Sequence, residues 1–360
     1  MSSREVIRMQ RASMVEEEYK KFIGRKIVFI TSLIFSIFLI IGMASTLGPI
    51  NLSITEVYST ILHKFFPNLF ETTEIAMTVV WNIRLPRILM GILVGVGLGI
   101  AGCVMQGILR NPLASPYTLG ISSSAGFGAA LAIILGKGFI GGEYLVIGNA
   151  FIFALICSLI ILSLASYKGA TPETMILAGI AMMYLFSACT ILLEYFADPE
   201  AVKAVVFWMV GSLGKCTWSK IYATSFVLSF SIPLLIWKSW DMNVIGTGDE
   251  AAKSLGVNVE RTRLFLMIIA SLITASIVCF VGTIGFIGLV APHIARIVIG
   301  GDNRFLLPAS ALIGGLLLSV ADVVAMNIMP PIIIPIGVMT SFMGVPLFIY
   351  LIIRRKREYW

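Results

Sequence analysis

The 360-residue chain is 58% hydrophobic and only 12% charged, where an ordinary globular domain carries about 25% charged residues. Its mean hydropathy is +0.97 and its net charge +7. This composition argues against soluble domains and reads as an integral membrane protein.

Ten apolar runs, each long enough for a hydrocarbon core about 30 Å thick, follow at roughly 27–47, 87–107, 118–136, 145–167, 174–196, 220–238, 264–281, 283–299, 306–328 and 335–353. They predict an all-α polytopic membrane protein with one transmembrane domain over 27–360, preceded by a cytoplasmic extension at 1–26. The first run is too long for a signal-peptide core and is expected to stay in the mature chain. With the N-terminus inside, 19 of the 26 Lys and Arg fall on inner segments and 7 on outer ones. That bias places both termini in the cytoplasm, so the basicity sets orientation in lipid and points to no nucleic-acid partner.

Before the second run, Arg84 and Arg87 lie on an outer segment; within it Gly91, Gly95 and Gly99 recur every four residues, a face that lets a neighbouring helix approach closely. Asn111-Pro112 and Ser115-Pro116 then break the chain. Ser122, Ser123 and Ser124 open the third run, where they can cap a helix or offer hydroxyls to a cavity.

Glu194 and Asp322 are the two acids inside the apolar runs, both near an outer end, which leaves the midplane almost uncharged. An ion-coupled carrier usually places ionisable groups there, so energy is expected to enter through another subunit. For Asp322 the favoured reading is a hydrogen-bonding partner between helices. His63 and His293 form no zinc-protease motif, and the five scattered cysteines read as packing residues. "GSLGKCT" at 211–217 lacks the spacing and the hydroxyl of a phosphate loop, so neither a cofactor nor a nucleotide site is expected in the chain.

The polar stretch "GTGDEAAKSLGVNVERTR" at 246–263, within a loop at about 240–263, codes for two short capped helices. Thr247 and Glu250 have capping-box spacing, Asp249 and Glu250 suit a first turn, and Lys253 suits a last turn. Gly256 supplies a left-handed stop, and Asn258 is a second N-cap that opens a turn running through Glu260 and Arg261 into the seventh run. Ala251, Ala252 and Leu255 form a small apolar face. A helix of about six residues is unstable alone, so it packs on the bundle or on a partner. In the eighth run Gly282, Gly285 and Gly288 recur every three residues as a packing stripe, though Pro292, His293 and Arg296 leave a broken or re-entrant helix open.

Taken in order, "RLPR", "NPLASPYTLGISS", "GDEAAKSLGV", "GTIGFIGLVAPHIAR" and "PIGVMTSFMGVPLFIYLI" closely resemble the permease subunits of ABC importers for iron-siderophores, haem and cobalamin, the type II importers of the FecCD-type family. The resemblance covers about 84–355. It implies a homodimer of ten-helix chains in the cell membrane. Two cytoplasmic ATPase subunits consume ATP below it, and an extracytoplasmic binding protein delivers the substrate. It also implies that Thr247, Asp249, Glu250, Ala251, Lys253, Leu255 and Gly256 belong to an ATPase-coupling loop, and that Arg84 and Arg87 face outward to dock the binding protein. Met326 stands where some members carry a further outward Arg, and Ser115 where many carry an acid. A gate is implied at the fifth run and the short helix at about 201–213, with Met182, Met183, Ser122 and Ser123 as pathway residues. The expected activity is import of a metal chelate, most of all an iron-siderophore, with no covalent chemistry. The alternatives are cobalamin, haem or an oxyanion in the same architecture, and a secondary transporter working alone.

Overall fold

The apolar runs fold as helices because, without water to satisfy it, the backbone must pair within each segment. The computed structural model describes the backbone of residues 3–48, 50 and 52–354 and the side chains of 22–48, 50, 52–350 and 353. In chain order the helices are α1 (Ser3–Thr46), α2 (Ile54–His63), α3 (Glu74–Met77), α4 (Leu85–Ile108), α5 (Ile121–Leu135), α6 (Leu145–Lys168), α7 (Pro172–Tyr195), α8 (Pro199–Met209) and α9 (Trp218–Trp237). They continue with α10 (Ser239–Gly246), α11 (Asp249–Ser254), α12 (Val259–Val281), α13 (Ile287–Ile299), α14 (Asn303–Asn327) and α15 (Ile336–Arg354). No strand occurs among the described residues.

Each of the ten expected spans falls on a helix. Seven helical stretches are long and apolar enough to cross a membrane, and Ile121–Leu135, Ile287–Ile299 and Ile336–Tyr350 are shorter apolar helices. Helix α1 runs unbroken from Ser3, so residue 26 marks no helix end, and residues 1 and 2 lie outside the described part. The basic residues 355–357 of the C-terminal tail also lie outside it.

Helix α4 is the centre of the bundle, packed on α12, α13 and α14 and also touching α9, α10 and α1. Gly95 and Gly99 explain the closest of these contacts, because a Cβ at either would meet the α14 backbone at Gly314 or Ser310. Gly102 meets the backbone of Gly288 on α13 in the same way. Gly91 instead faces the side chain of Leu213 at an ordinary contact distance of 3.4 Å.

Two expectations are corrected, and the alternative left open for the eighth span is decided. The second span begins far earlier than 87, since the helical stretch is continuous over Glu74–Ile108 with a π-helical segment at Thr78–Arg84. The Leu85 N–H bonds to Val80 O there, five residues back, and Pro86, with no N–H to offer, follows directly. The eighth span is broken. Gly282 and Phe286 take φ of +76° and +66°, and α13 starts only at Ile287. At about 1.5 Å per residue it covers roughly 20 Å. Consequently Gly282, Gly285 and Gly288 do not form one stripe: the first two lie in the break, where Gly282 packs against Trp208 O and Gly211 and Gly285 meets nothing, and only Gly288 is helical.

Helix α2 is an element the apolar runs did not announce. Ser53 caps it, accepting from the Glu56 N–H at 3.1 Å, and it buries Val57 and Thr60.

Candidate functional site: a short helix tied to the bundle end, and a cavity among the helices

Residues 239–263 form three helical pieces at one end of the bundle, and the short pair is α10 and α11. Of the two expected helices, the first is α11 and the second, opened by Asn258, is the start of α12, while α10 is an additional piece before them. The joint between the short helices is Thr247-Gly248, and the segment after Gly256 is the first turn of the long helix α12. Thr247 is not the N-cap of α11: its hydroxyl donates back to Val244 O at 2.8 Å, and Gly248, at φ +116°, holds the cap position with no side-chain bond. Gly256 takes φ +85°. Its N–H donates to Lys253 O and that of Val257 to Ala252 O, which is a Schellman closure. Asn258 accepts from the Arg261 N–H at 3.0 Å and starts α12.

Helix α11 has two faces. Ala252 is fully buried in a small cluster with Ile245 and Val259. The opposite face is open: Leu255 is 69% exposed, Ala251 is exposed, and Glu250 and Lys253 pair across it at 3.1 Å in solvent. Asp249 turns inward. Its carboxylate accepts from Arg110, just past the end of α4, at 2.5 Å and from Nη2 of Arg263 on α12 at 3.0 Å. Burial raises the Asp249 carboxyl, but the bonds and charge of Arg263, then Arg110 and Lys253, outweigh it and hold the pKa below the usual carboxylate value.

Arg263 is 1% exposed, one of the largest fully buried side chains. Besides Asp249, it donates to Ile108 O at 2.9 Å and to Ala170 O. The Ala170 N–H in turn donates to Glu260 at 3.1 Å. A groove of about 600 Å³ runs beside these groups, lined by Thr171, Lys253, Asn258 and Glu260 among others. At the same end Asn243 of α10 donates to Asp302 and accepts from the Asn303 N–H, both within 2.9 Å. Gln106 donates to Leu289 O and accepts from Arg296, which joins α4 to α13.

A second feature is a cavity of about 560 Å³ between α4, α5, the 283–286 break and α15. Its walls are mostly apolar side chains, with hydroxyls from Ser115, Tyr117, Thr118, Ser122, Thr274, Thr283 and Ser341 and no charged group among the described residues. Ser115 and Thr118 each accept the other's backbone N–H, at 3.2 and 3.0 Å. Of the expected pathway residues only Ser122 lines this cavity. Ser123 is half-buried on α5, and the half-buried Met182 and Met183 of α7 are not among the lining residues; Met209 of α8 is the methionine that lines it. Ser122 does not cap α5, since Gly120 holds that cap position at φ +76°.

Arg84 and Arg87 are placed differently from the expectation that they face outward on a loop. Both lie inside the helical stretch Glu74–Ile108 and are buried, at 7% and 8% exposure. Arg84 donates to Ser45 O at 2.8 Å and to Ile50 O. Arg87 donates to both oxygens of Asp322 at 2.7–3.1 Å. The charge of Arg87 is therefore neutralised by Asp322, while the guanidinium of Arg84 is buried against two carbonyls. His293 stands edge-on to Phe348, with ring centroids 6.3 Å apart. Among the described residues no cluster of His, Cys, Asp and Glu could hold a metal.

The sequence matches the FecCD transport family over residues 32–354. It is 46% identical to the proposed ABC transporter permease protein MJ0087 of Methanocaldococcus jannaschii, over 96% of this chain and 99% of that one. It is 36% identical to the hemin transport system permease protein HmuU of Yersinia pestis, over 91% and 95%. The fold superposes on a proposed metal-chelate type ABC transporter in an inward-facing conformation with TM-score 0.79, at 29% identity, over 91% of this chain and 99% of that chain.

Proposed function

The chain belongs to the FecCD transport family, and on that premise we propose that it works as a homodimer, driven by two cytoplasmic ATPase subunits and fed by an extracytoplasmic binding protein. It is a multi-pass ABC importer permease and not an enzyme. Its termini lie in the cytoplasm, as the surplus of Lys and Arg on inner segments supports. That orientation puts α10 and α11 on the ATPase side.

The observation that carries this reading is the two-faced helix α11. Its inner face is fixed by Ala252 and Asp249, while Glu250, Ala251, Lys253 and Leu255 stay open to solvent on a helix too short to stand alone. Such a helix is anchored on one side and unfilled on the other, which suits a groove in a partner subunit. Closure of the ATPases on ATP would move α11 and, through the bundle end, the helices around the cavity.

The cargo is a metal chelate, of iron-siderophore type. The uncharged cavity supports this, because a bulky ligand held mainly by its delivery protein passes best through walls that do not bind it tightly. The test is co-purification with the ATPase: Glu250→Arg with Leu255→Arg abolishes the complex if α11 seats there. Full recovery of the ATPase with the double variant removes α11 from that interface.

A further inference from the structure

Movement of α11 has to reach the membrane-spanning helices, and the contacts around it are unevenly distributed. Its packing is confined to Ala252 in a small cluster. The stronger connection is polar and runs through one carboxylate. Asp249 holds Arg110 and Arg263 together, the first in the turn that follows α4 and the second on α12.

Arg263 then divides its donors among elements that are distant in sequence. Nε takes Ile108 O at 2.9 Å, a carbonyl in the last turn of α4 that has no partner within its own helix. Nη1 takes Ala170 O, two residues before α7 begins. Nη1 and Nη2 together take the Asp249 carboxylate. Ala170 is gripped on both sides, since its N–H donates to Glu260 one turn earlier on α12. A planar guanidinium with five donors can serve three acceptors in fixed directions, whereas an ammonium cannot hold this geometry.

Resting on the reading that α11 receives the ATPase, we propose that Asp249, Arg263 and Glu260 are positioning residues that carry α11 displacement to the lead-in of α7 at Ala170 and to the end of α4 at Ile108. Asp249 is the input, because it alone of the three sits on α11. Arg263 distributes the displacement, and Glu260 keeps Ala170 in register with α12. Helix α7 is thereby pulled by its N-terminal lead-in, and α4, which lines the cavity through Leu98, is pulled by its C-terminal end.

The experiment is hydrogen–deuterium exchange on the full complex, isolated through a tag on the ATPase so that only assembled particles are compared, with and without ATP and vanadate. In the wild type, nucleotide alters exchange both in 248–258 and in 169–175 and 109–114. In Asp249→Asn the change at 248–258 persists, and that at 169–175 and 109–114 shrinks by a factor of roughly 2 to 30, the range of coupling changes from single substitutions. Glu260→Gln keeps an acceptor for the Ala170 N–H and retains the response, while Glu260→Ala loses it at 169–175. A purely structural role predicts higher exchange without nucleotide in every variant and an undiminished nucleotide-dependent change, and that result overturns the proposal. A wild-type complex in which nucleotide leaves 248–258 unchanged instead overturns the reading of α11 as the ATPase seat.

Discussion

Arg87 on α4 and Asp322 on α14 form a buried pair in which Nε and Nη2 of the guanidinium both donate to the carboxylate, at 2.7–3.1 Å. The two residues are 8% and 3% exposed. Removing one partner strands the other charge, a loss of about 3–5 kcal/mol for a buried pair. Asp322→Asn and Arg87→Gln each lower the melting temperature of the purified protein in detergent, and the exchanged pair Arg87→Asp with Asp322→Arg recovers part of it. Wild-type melting in both single variants contradicts the pairing. Any docking defect in an Arg87→Glu chain is then first a defect of folding.

Helix α4 meets α14 backbone to backbone at Gly95 and Gly314. A side chain at either position must push the helices apart, and overpacking of this kind costs about 1–3 kcal/mol. Gly95→Leu lowers thermal stability by that order, whereas Gly91→Ala, which meets only Leu213 at 3.4 Å, changes it little. Equal effects at the two positions contradict the packing described.

What is legible in the sequence depends on the separation between partners. The apolar runs placed ten helices because twenty consecutive apolar residues have few alternatives in lipid. The beginning of the second span was not legible: Glu74–Asn82 mixes polar and apolar residues, and its burial against α2 appears only in the fold. Ser53 with Glu56 did carry the capping signal for α2, and an apolar scan passes over it. Glycines three apart at 282, 285 and 288 fit a helix stripe, yet the left-handed backbone at Gly282 and Phe286 makes the same residues a break. Thr247 and Glu250 fit a capping box, but the chain spends Thr247 on closing α10. Arg87 and Asp322 are 235 positions apart, and Arg263 and Ile108 are 155 apart. No local pattern announces such pairs.

A pH dependence follows from Asp302. Burial raises its carboxyl, and Arg304 and Asn243 prevail over that effect to hold it at about 2 against an ordinary 3.8. A carboxyl whose folded pKa is depressed contributes stability that is present above 3.8 and is lost as pH falls toward 2. The difference in melting temperature between wild type and Asp302→Asn is therefore constant between about pH 7 and 5, and it narrows below 3.8. A difference that widens in acid contradicts the assignment.

The most direct measurement of the central claim is uptake by proteoliposomes holding the permease with its ATPase and binding protein, supplied in turn with a ferric siderophore, hemin and cobalamin. The account predicts accumulation of the ferric siderophore that requires ATP, is unaffected by collapsing proton and sodium gradients, and disappears when the ATPase is left out. Uptake by the permease alone, driven by an ion gradient, would contradict it.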